Sequence, residues 1–168
     1  HHPHVHLIAY STKPGEGFLT KQGMEKIRSA LAQEIFRQDL ISVYQQETAH
    51  RDELRRTSRE KVTGLVQQII GGECEKPQLE SLLQNLVIRL AKVKGKKVYG
   101  YLRPELKSLV NQIVDELARD ERIAQLYDLW YQDKQAARNV YDERPIERVP
   151  LSENPDFKPI RNAVVQAA

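Results

Sequence analysis

Residues 77–90, which read PQLESLLQNLVIRL, decide the fold class of this chain. Leucine, valine and isoleucine recur there every three or four residues, which is the period of a helix with one buried face. The leading proline suits the first turn of a helix. The same apolar period returns in other stretches, at 24–44, 62–70, 104–117 and 120–131. We therefore predict a mostly α-helical protein with four or five helices.

Local signals predict how far each helix runs. Residues 45–61 are strongly polar, with Leu54 as the only large aliphatic residue, and neither glycine nor proline interrupts them. We expect the helix that begins near residue 20 to continue through this stretch as an exposed, protruding segment. Residues suited to begin or end a helix stand at Thr20, Gly71, Gly72, Pro77, Pro104, Asp120 and Asp156.

Residues 4–11, HVHLIAYS, have the alternating pattern of a β-strand. Val5 and Leu7 fall on one face of this strand, and His4 and His6 fall on the other. A strand is not stable without partners, and no second convincing strand follows. We therefore expect one N-terminal strand, left from an α/β sheet whose other strands precede residue 1.

Composition excludes several classes of protein. Charged residues make up 29% of the chain, and no apolar run approaches the roughly 20 residues that a membrane span needs. The single cysteine, Cys74, excludes an intrachain disulfide and any multi-cysteine zinc cluster. The net charge of +3 permits nucleic-acid binding without arguing strongly for it. These features indicate a soluble, polar protein.

The histidines at the N-terminus are the only motif with chemical content. His4 and His6 are two residues apart on the predicted strand, so that both imidazoles point to the same side. Imidazole pairs held by a rigid strand suit a divalent metal such as Mn, Mg or Zn. His2 is a further candidate ligand. Two surface histidines on an edge strand are the alternative reading of the same pattern.

The run His-Pro-His-Val-His-Leu-Ile at residues 2–8, followed by Ala-Tyr-Ser, resembles the histidine motif of HUH endonucleases, in the form found in MobP/MobL relaxases. Residues 101–107 and 128–131 are similar to the later helical region of that group. The resemblance implies a strand-nicking enzyme whose tyrosine attacks single-stranded DNA at an origin of transfer. His4 and His6 match two metal ligands of the family.

The same resemblance implies a division of the chain. Residues 1–19 would be the remnant of the nuclease domain, 20–142 a helical extension, and 143–168 a linker with a short C-terminal helix. The third metal ligand and the nucleophilic tyrosine are expected upstream of residue 1, so that no catalytic residue is assigned here and the fragment alone is expected to be inactive. The resemblance also implies a bacterial, cytoplasmic location and other transfer proteins as partners.

Two groups of basic residues are candidates for DNA contact. Cations beside aromatic rings suit single-stranded DNA, because they neutralise phosphates while the rings stack on bases. Acidic residues are interleaved with the arginines, which favours a solvated helix face there, whereas the lysines lie close to Tyr99 and Tyr101. The two groups are Lys94, Lys96 and Lys97 in a loop, and Arg51, Arg55 and Arg59 on a helix.

Two other functions fit parts of the pattern. The first is a histidine-triad nucleotide hydrolase, in which His4 would attack a phosphate. The second is a non-catalytic helical module that binds other mobilisation proteins. Among the remaining residues, we predict that Trp130 and its aromatic neighbours belong to the core and that His50 is exposed.

Overall fold

A computed structural model describes residues 8, 10–72, 76–140, 142 and 144–168, apart from the side chain of Asp39. Within these ranges the chain is mostly helical, which confirms the predicted mostly α-helical class. They contain six α-helices, where four or five were predicted, and no strand. Most of the predicted strand lies outside these ranges, and so do His2, His4 and His6. The helices are α1 (Lys21–Ile35), α2 (Arg37–Gly71), α3 (Pro77–Ala91), α4 (Pro104–Leu117), α5 (Glu121–Asn139) and α6 (Lys158–Ala167), with 3-10 turns at Tyr99–Tyr101 and Pro155–Phe157.

The helices begin and end close to where the sequence predicts. The Thr20 hydroxyl accepts a hydrogen bond from the backbone N–H of Gly23 and caps α1. Asp120 caps α5 in the same way. Gly72 ends α2 with φ of 72°, a conformation that glycine adopts at little cost. Among the described helices, none is long and apolar enough to cross a membrane.

The predicted continuous helix from residue 20 to residue 70 is interrupted once, at Phe36. The backbone there leaves the helical region, with φ of −104° and ψ of 24°. The N–H of Phe36 still donates to the carbonyl of Ala32, and its own carbonyl accepts from Leu40. No glycine or proline marks this position, so the sequence offers no signal for it.

The long helix α2 packs against α5 and α6 along its middle. Leu54, Ser58 and Val62 are fully buried or nearly so. The prediction of an exposed, protruding segment at 45–61 is therefore wrong. The small side chains of Thr57 and Ser58 are buried in this contact, which shows that a helix face poor in aliphatic residues can still be an interior face.

An aromatic cluster from α5 and the following turn forms part of the core. The Trp130 and Phe157 rings lie 4.9 Å apart, edge to face, and both are buried. Tyr127 packs edge-on against Phe157, and burial raises the pKa of its hydroxyl. Such pairs stabilise a core beyond the area that they bury. The prediction that Trp130 belongs to the core is confirmed.

The segment between α5 and α6 packs against the helices. Leu151, Ser152 and Asn154 are buried, and the Tyr127 hydroxyl donates to the carbonyl of Val149. The side chain of Asn154, rather than that of Asp156, caps the turn that leads into α6, because it accepts from the Asp156 N–H. The division into domains at residues 19 and 142 stays a prediction.

Candidate nucleic-acid interface

Residues 92–103 join α3 to α4 and are named here the lysine loop. They contain five cationic residues and no acidic one. Gly95 lies in the middle with φ of 122°, a conformation that side chains disfavour. This glycine turns the backbone between Lys94 and Lys96. The loop therefore presents a concentrated positive charge on a tight turn.

One tyrosine anchors the lysine loop to the helices beneath it. The backbone N–H of Tyr99 donates to Oδ1 of Asn162, and its hydroxyl donates to Oδ1 of Asn111, at 3.1 and 2.8 Å. The guanidinium of Arg161 lies 4.8 Å from the centre of the Tyr99 ring. These contacts reach α4 and α6. They hold the end of the loop in one place.

Arg161 itself is largely buried, although it has no carboxylate partner within ion-pair distance among the described residues. Its guanidinium donates to the backbone carbonyl of Ser152 at 2.6 Å. Sequence reasoning missed Asn111, Arg161 and Asn162 as supports of the loop. Their contacts with Tyr99 join residues that are distant in the sequence, and no local pattern indicates them.

A second tyrosine in the loop is not used as an anchor. Tyr101 is 74% exposed. The ammonium of Lys96 lies 5.9 Å from the centre of its ring, within the range of a cation–π contact. Proteins bind single-stranded nucleic acids with this combination of groups. The aromatic ring stacks on a base, and the cation contacts a phosphate.

The three lysines predicted to contact DNA are exposed. Lys94, Lys96 and Lys97 form no ion pair with any carboxylate in the described part of the chain. Their charges are therefore not neutralised within this part of the molecule. A phosphate can therefore bind these ammonium groups without first breaking an ion pair with a described carboxylate.

The arginines predicted on α2 are in a different situation. Arg51 and Arg55 both bind Asp52, at 3.3 and 3.4 Å, and each side chain is only 29% exposed. Arg55 also donates to the backbone carbonyl of Asp156. Arg59 is the exposed member of the three. Arg55 thus joins α2 to the turn that precedes α6, whereas the contact of Arg51 lies within α2. The ion pairs of both with Asp52 argue against a free basic stripe on this helix.

His50 has a partner that the sequence did not indicate. Its Nδ1 lies 2.5 Å from Oδ2 of Asp133, on α5. The His50 side chain is 31% exposed and that of Asp133 is 14% exposed. The expectation that His50 is exposed is therefore wrong, because α5 packs over this part of α2. The two residues are 83 positions apart, and only the tertiary structure brings them together.

The predicted metal ligands His2, His4 and His6 lie outside the described residues. Within the described ranges, no group of three or more histidine, cysteine, aspartate or glutamate side chains is arranged to hold a metal ion. Metal binding at the N-terminal histidines thus stays a prediction.

Comparison with known proteins gives one match. A family model described as MobL relaxases matches residues 1–168, the whole chain. Searches of curated proteins and of solved structures found no match. Because the family model covers both the histidine motif and the six described helices, the match extends well beyond the N-terminal residues. The chain belongs to the MobL relaxase family.

Proposed function

We propose that this chain binds single-stranded DNA at an origin of transfer and that the lysine loop is the part of its helical region that contacts the DNA. Membership of the MobL family supports a role in mobilisation. The observation that carries the assignment to the loop is the set of unpaired lysines beside the exposed Tyr101. Two of the three arginines on α2, Arg51 and Arg55, lack this property, because Asp52 binds both.

Physical chemistry supports a single strand as the ligand. Each lysine that contacts a phosphate releases condensed counterions, which makes binding favourable at low salt. A tyrosine ring gains stacking energy only from a base whose face is accessible, and bases in a duplex already stack on one another. Tyr101 beside Lys96 therefore favours a strand whose bases are unpaired.

The reaction proposed for the parent relaxase is a transesterification. A tyrosine hydroxyl attacks the scissile phosphorus and loses its proton, the bond from phosphorus to the 3′ oxygen breaks, and a 5′-phosphotyrosine and a free 3′-hydroxyl result. No tyrosine of the described helices is assigned as this nucleophile. The helical region instead holds the DNA strand through the lysine loop, which contacts phosphates and one base. Metal binding at His4 and His6 and a cytoplasmic location belong to the same proposal.

Removal of charge from the loop tests the proposal. In the variant Lys94→Gln/Lys96→Gln/Lys97→Gln, we expect the affinity for a fluorescent single-stranded oligonucleotide to fall at least about tenfold, since three phosphate contacts are lost. The matched control is Lys21→Gln/Lys26→Gln/Arg28→Gln, which removes the same charge from α1. An equal loss in both variants would show that only the net charge matters, and it would overturn the assignment to the loop.

A second candidate function is that of a helical interaction module for other proteins. It is favoured by the apolar side chains that α1 exposes, among them Met24, Ile27 and Leu31. This role is compatible with mobilisation. It becomes the better description if the folded chain binds no oligonucleotide at low salt. The family match favours either role over a histidine-triad hydrolase.

A further inference from the structure

Helix α1 carries an apolar stripe that the described part of the chain covers only in part. The stripe consists of Met24, Ile27, Leu31 and Ile35, whose spacing of three and four residues places them on one helix face. Each is 46–70% exposed. The residue of α1 that is buried is the small Ala32, which lies on another face. Met24 also borders a cleft that Tyr44 of α2 and Ala137 of α5 line. The larger apolar side chains of α1 thus remain about half exposed or more in the described part of the chain.

A second uncovered apolar surface lies at the far end of α2. It is a groove of about 470 Å³ between the last turns of α2 and the neighbouring face of α3, bordered by the end of α6. Ile70 and Ile88 on its rim are 74% and 59% exposed. Its lining contains one polar side chain, that of Gln84, and no charged one. We name it the α2–α3 groove.

The stripe cannot enter the groove of its own chain. Helix α2 is continuous from Arg37 to Gly71, so Phe36 and the groove residue Val66 are separated by about 30 helical residues, or about 45 Å. Helix α1 spans only about 22 Å over its 15 residues. Even folded back along α2, it falls short of the groove. Any contact between stripe and groove must therefore join two molecules.

We propose that the stripe of one copy packs into the α2–α3 groove of a second copy, in a two-fold antiparallel dimer. The two surfaces lie at opposite ends of α2. When two copies lie side by side with their α2 helices antiparallel, each stripe reaches the partner's groove, and both contacts form at once. This arrangement closes on itself and leaves neither surface free to extend a filament.

The chemistry of the two surfaces favours this occupant. An amphipathic helix that lays apolar residues at three- and four-residue spacing into an apolar groove is a common mode of recognition. The uncharged groove offers nothing to the phosphates of DNA. A stable interface buries roughly 1,200 Å² or more, about 600 Å² for each of the two symmetric contacts. The stripe and the groove rim provide seven partly exposed aliphatic side chains for each contact, namely Met24, Ile27, Leu31, Ile35, Ile70, Val87 and Ile88.

Sedimentation velocity of the whole chain between about 1 and 100 μM, a range that covers micromolar dissociation constants, tests the proposal. We expect a dimer at the upper end of this range and a monomer for either Leu31→Glu or Ile88→Lys, with unchanged circular dichroism. Gln33→Glu is the matched control, because Gln33 is exposed on the opposite side of α1, and it should leave the dimer intact.

Mixing the two disruptive variants distinguishes this dimer from one made by α1 alone. In a mixture of Leu31→Glu and Ile88→Lys, one contact is wild type and the other opposes Glu to Lys, so we expect a heterodimer to form. A wild-type chain that remains monomeric at the highest concentration overturns the proposal. A dimer that survives Ile88→Lys, or a mixture without heterodimer, overturns it as well. None of these outcomes depends on DNA binding.

Discussion

The Nζ atom of Lys61 lies 2.8 Å from Oδ2 of Asp120, which ties α2 to the first turn of α5. The other carboxylate oxygen of Asp120 accepts hydrogen bonds from the backbone N–H groups of Arg122 and Ile123. Burial raises the pKa of Asp120, but the contacts with Lys61 and the two N–H groups outweigh it, and the net pKa lies below its usual value. One side chain thus caps a helix and joins two helices.

We predict that Asp120→Ala lowers the free energy of unfolding by about 1 kcal/mol, as loss of a helix cap usually does. Urea denaturation followed by circular dichroism measures the change. Asp120→Asn is the control, because an amide oxygen can still cap α5 but cannot pair with Lys61, and it should cost less than the alanine variant. Equal stability of Asp120→Ala and the wild type would contradict the role of the cap.

The contribution of Asp120 should also depend on pH. Since its pKa is lower in the folded chain than in the unfolded chain, its ionised form stabilises the fold above the unfolded pKa of about 3.9, and this stability is lost as the pH falls below that value. The difference in stability between the wild type and Asp120→Ala should therefore be full at pH 7 and shrink below about pH 4. A difference that is the same at pH 3 and pH 7 would argue against the ionic contribution.

Leu54 tests whether the polar middle of α2 is an interior face. Its side chain is fully buried, so Leu54→Ala should cost about 2–5 kcal/mol of stability through lost contacts and the cavity left behind. Leu19→Ala serves as the comparison, because Leu19 is exposed and its truncation should change stability by no more than about 0.5 kcal/mol. Similar small effects of both substitutions would mean that α2 protrudes as its sequence suggested.

The two tyrosines of the lysine loop should respond in opposite ways. Tyr101→Ala should weaken binding of single-stranded DNA by about 1–3 kcal/mol, the value of one base stack, while leaving the melting temperature almost unchanged. Tyr99→Phe should lower stability by about 1 kcal/mol, since it removes the hydrogen bond to Asn111, with a smaller effect on binding. Fluorescence anisotropy measures the DNA affinity and thermal melting measures the stability of each variant. A loss of stability in Tyr101→Ala together with a loss of affinity in Tyr99→Phe would contradict the two assigned roles.

The N-terminal histidines predict binding of a divalent metal. Isothermal calorimetry with Mn²⁺ should show a binding isotherm for the wild-type chain that is lost in His4→Ala/His6→Ala, because this variant removes the two imidazoles that the sequence predicts as metal ligands. His50→Ala is the control, since His50 contacts Asp133 on the opposite helix instead. Identical isotherms for the wild type and the double variant would mean that these histidines do not form a metal site.

Much of the local structure follows from the sequence, because its signals are local. The apolar period predicted α3 and α4, while Thr20 and Asp120 were recognised as caps from residue type and position. The membership of Trp130 in the core followed from its apolar neighbours at helical spacing. In each case the information lies within a few residues of the feature itself.

The contacts between distant residues could not be predicted in this way. The sequence placed Arg55 on a solvated helix face, yet it donates to the carbonyl of Asp156, 101 residues away. His50 meets Asp133 for the same reason, since packing of α5 on α2 brings them together. The polar composition of residues 45–61 indicated exposure. This prediction failed because small polar residues such as Ser58 can be buried without an apolar pattern. The lysine loop was recognised from its charge, whereas the difference between Tyr99 and Tyr101 required the structure.

The most direct measurement of the central claim is the salt dependence of binding to single-stranded DNA. The logarithm of the binding constant falls with the logarithm of the salt concentration by about 0.7 for each phosphate neutralised on a single strand. If Lys94, Lys96 and Lys97 each contact a phosphate, the slope for their triple glutamine variant should be shallower than that of the wild type by about 2. The slope of the α1 control, Lys21→Gln/Lys26→Gln/Arg28→Gln, should match the wild type. Identical slopes for the wild type and the loop variant would contradict the claim that the lysine loop contacts DNA.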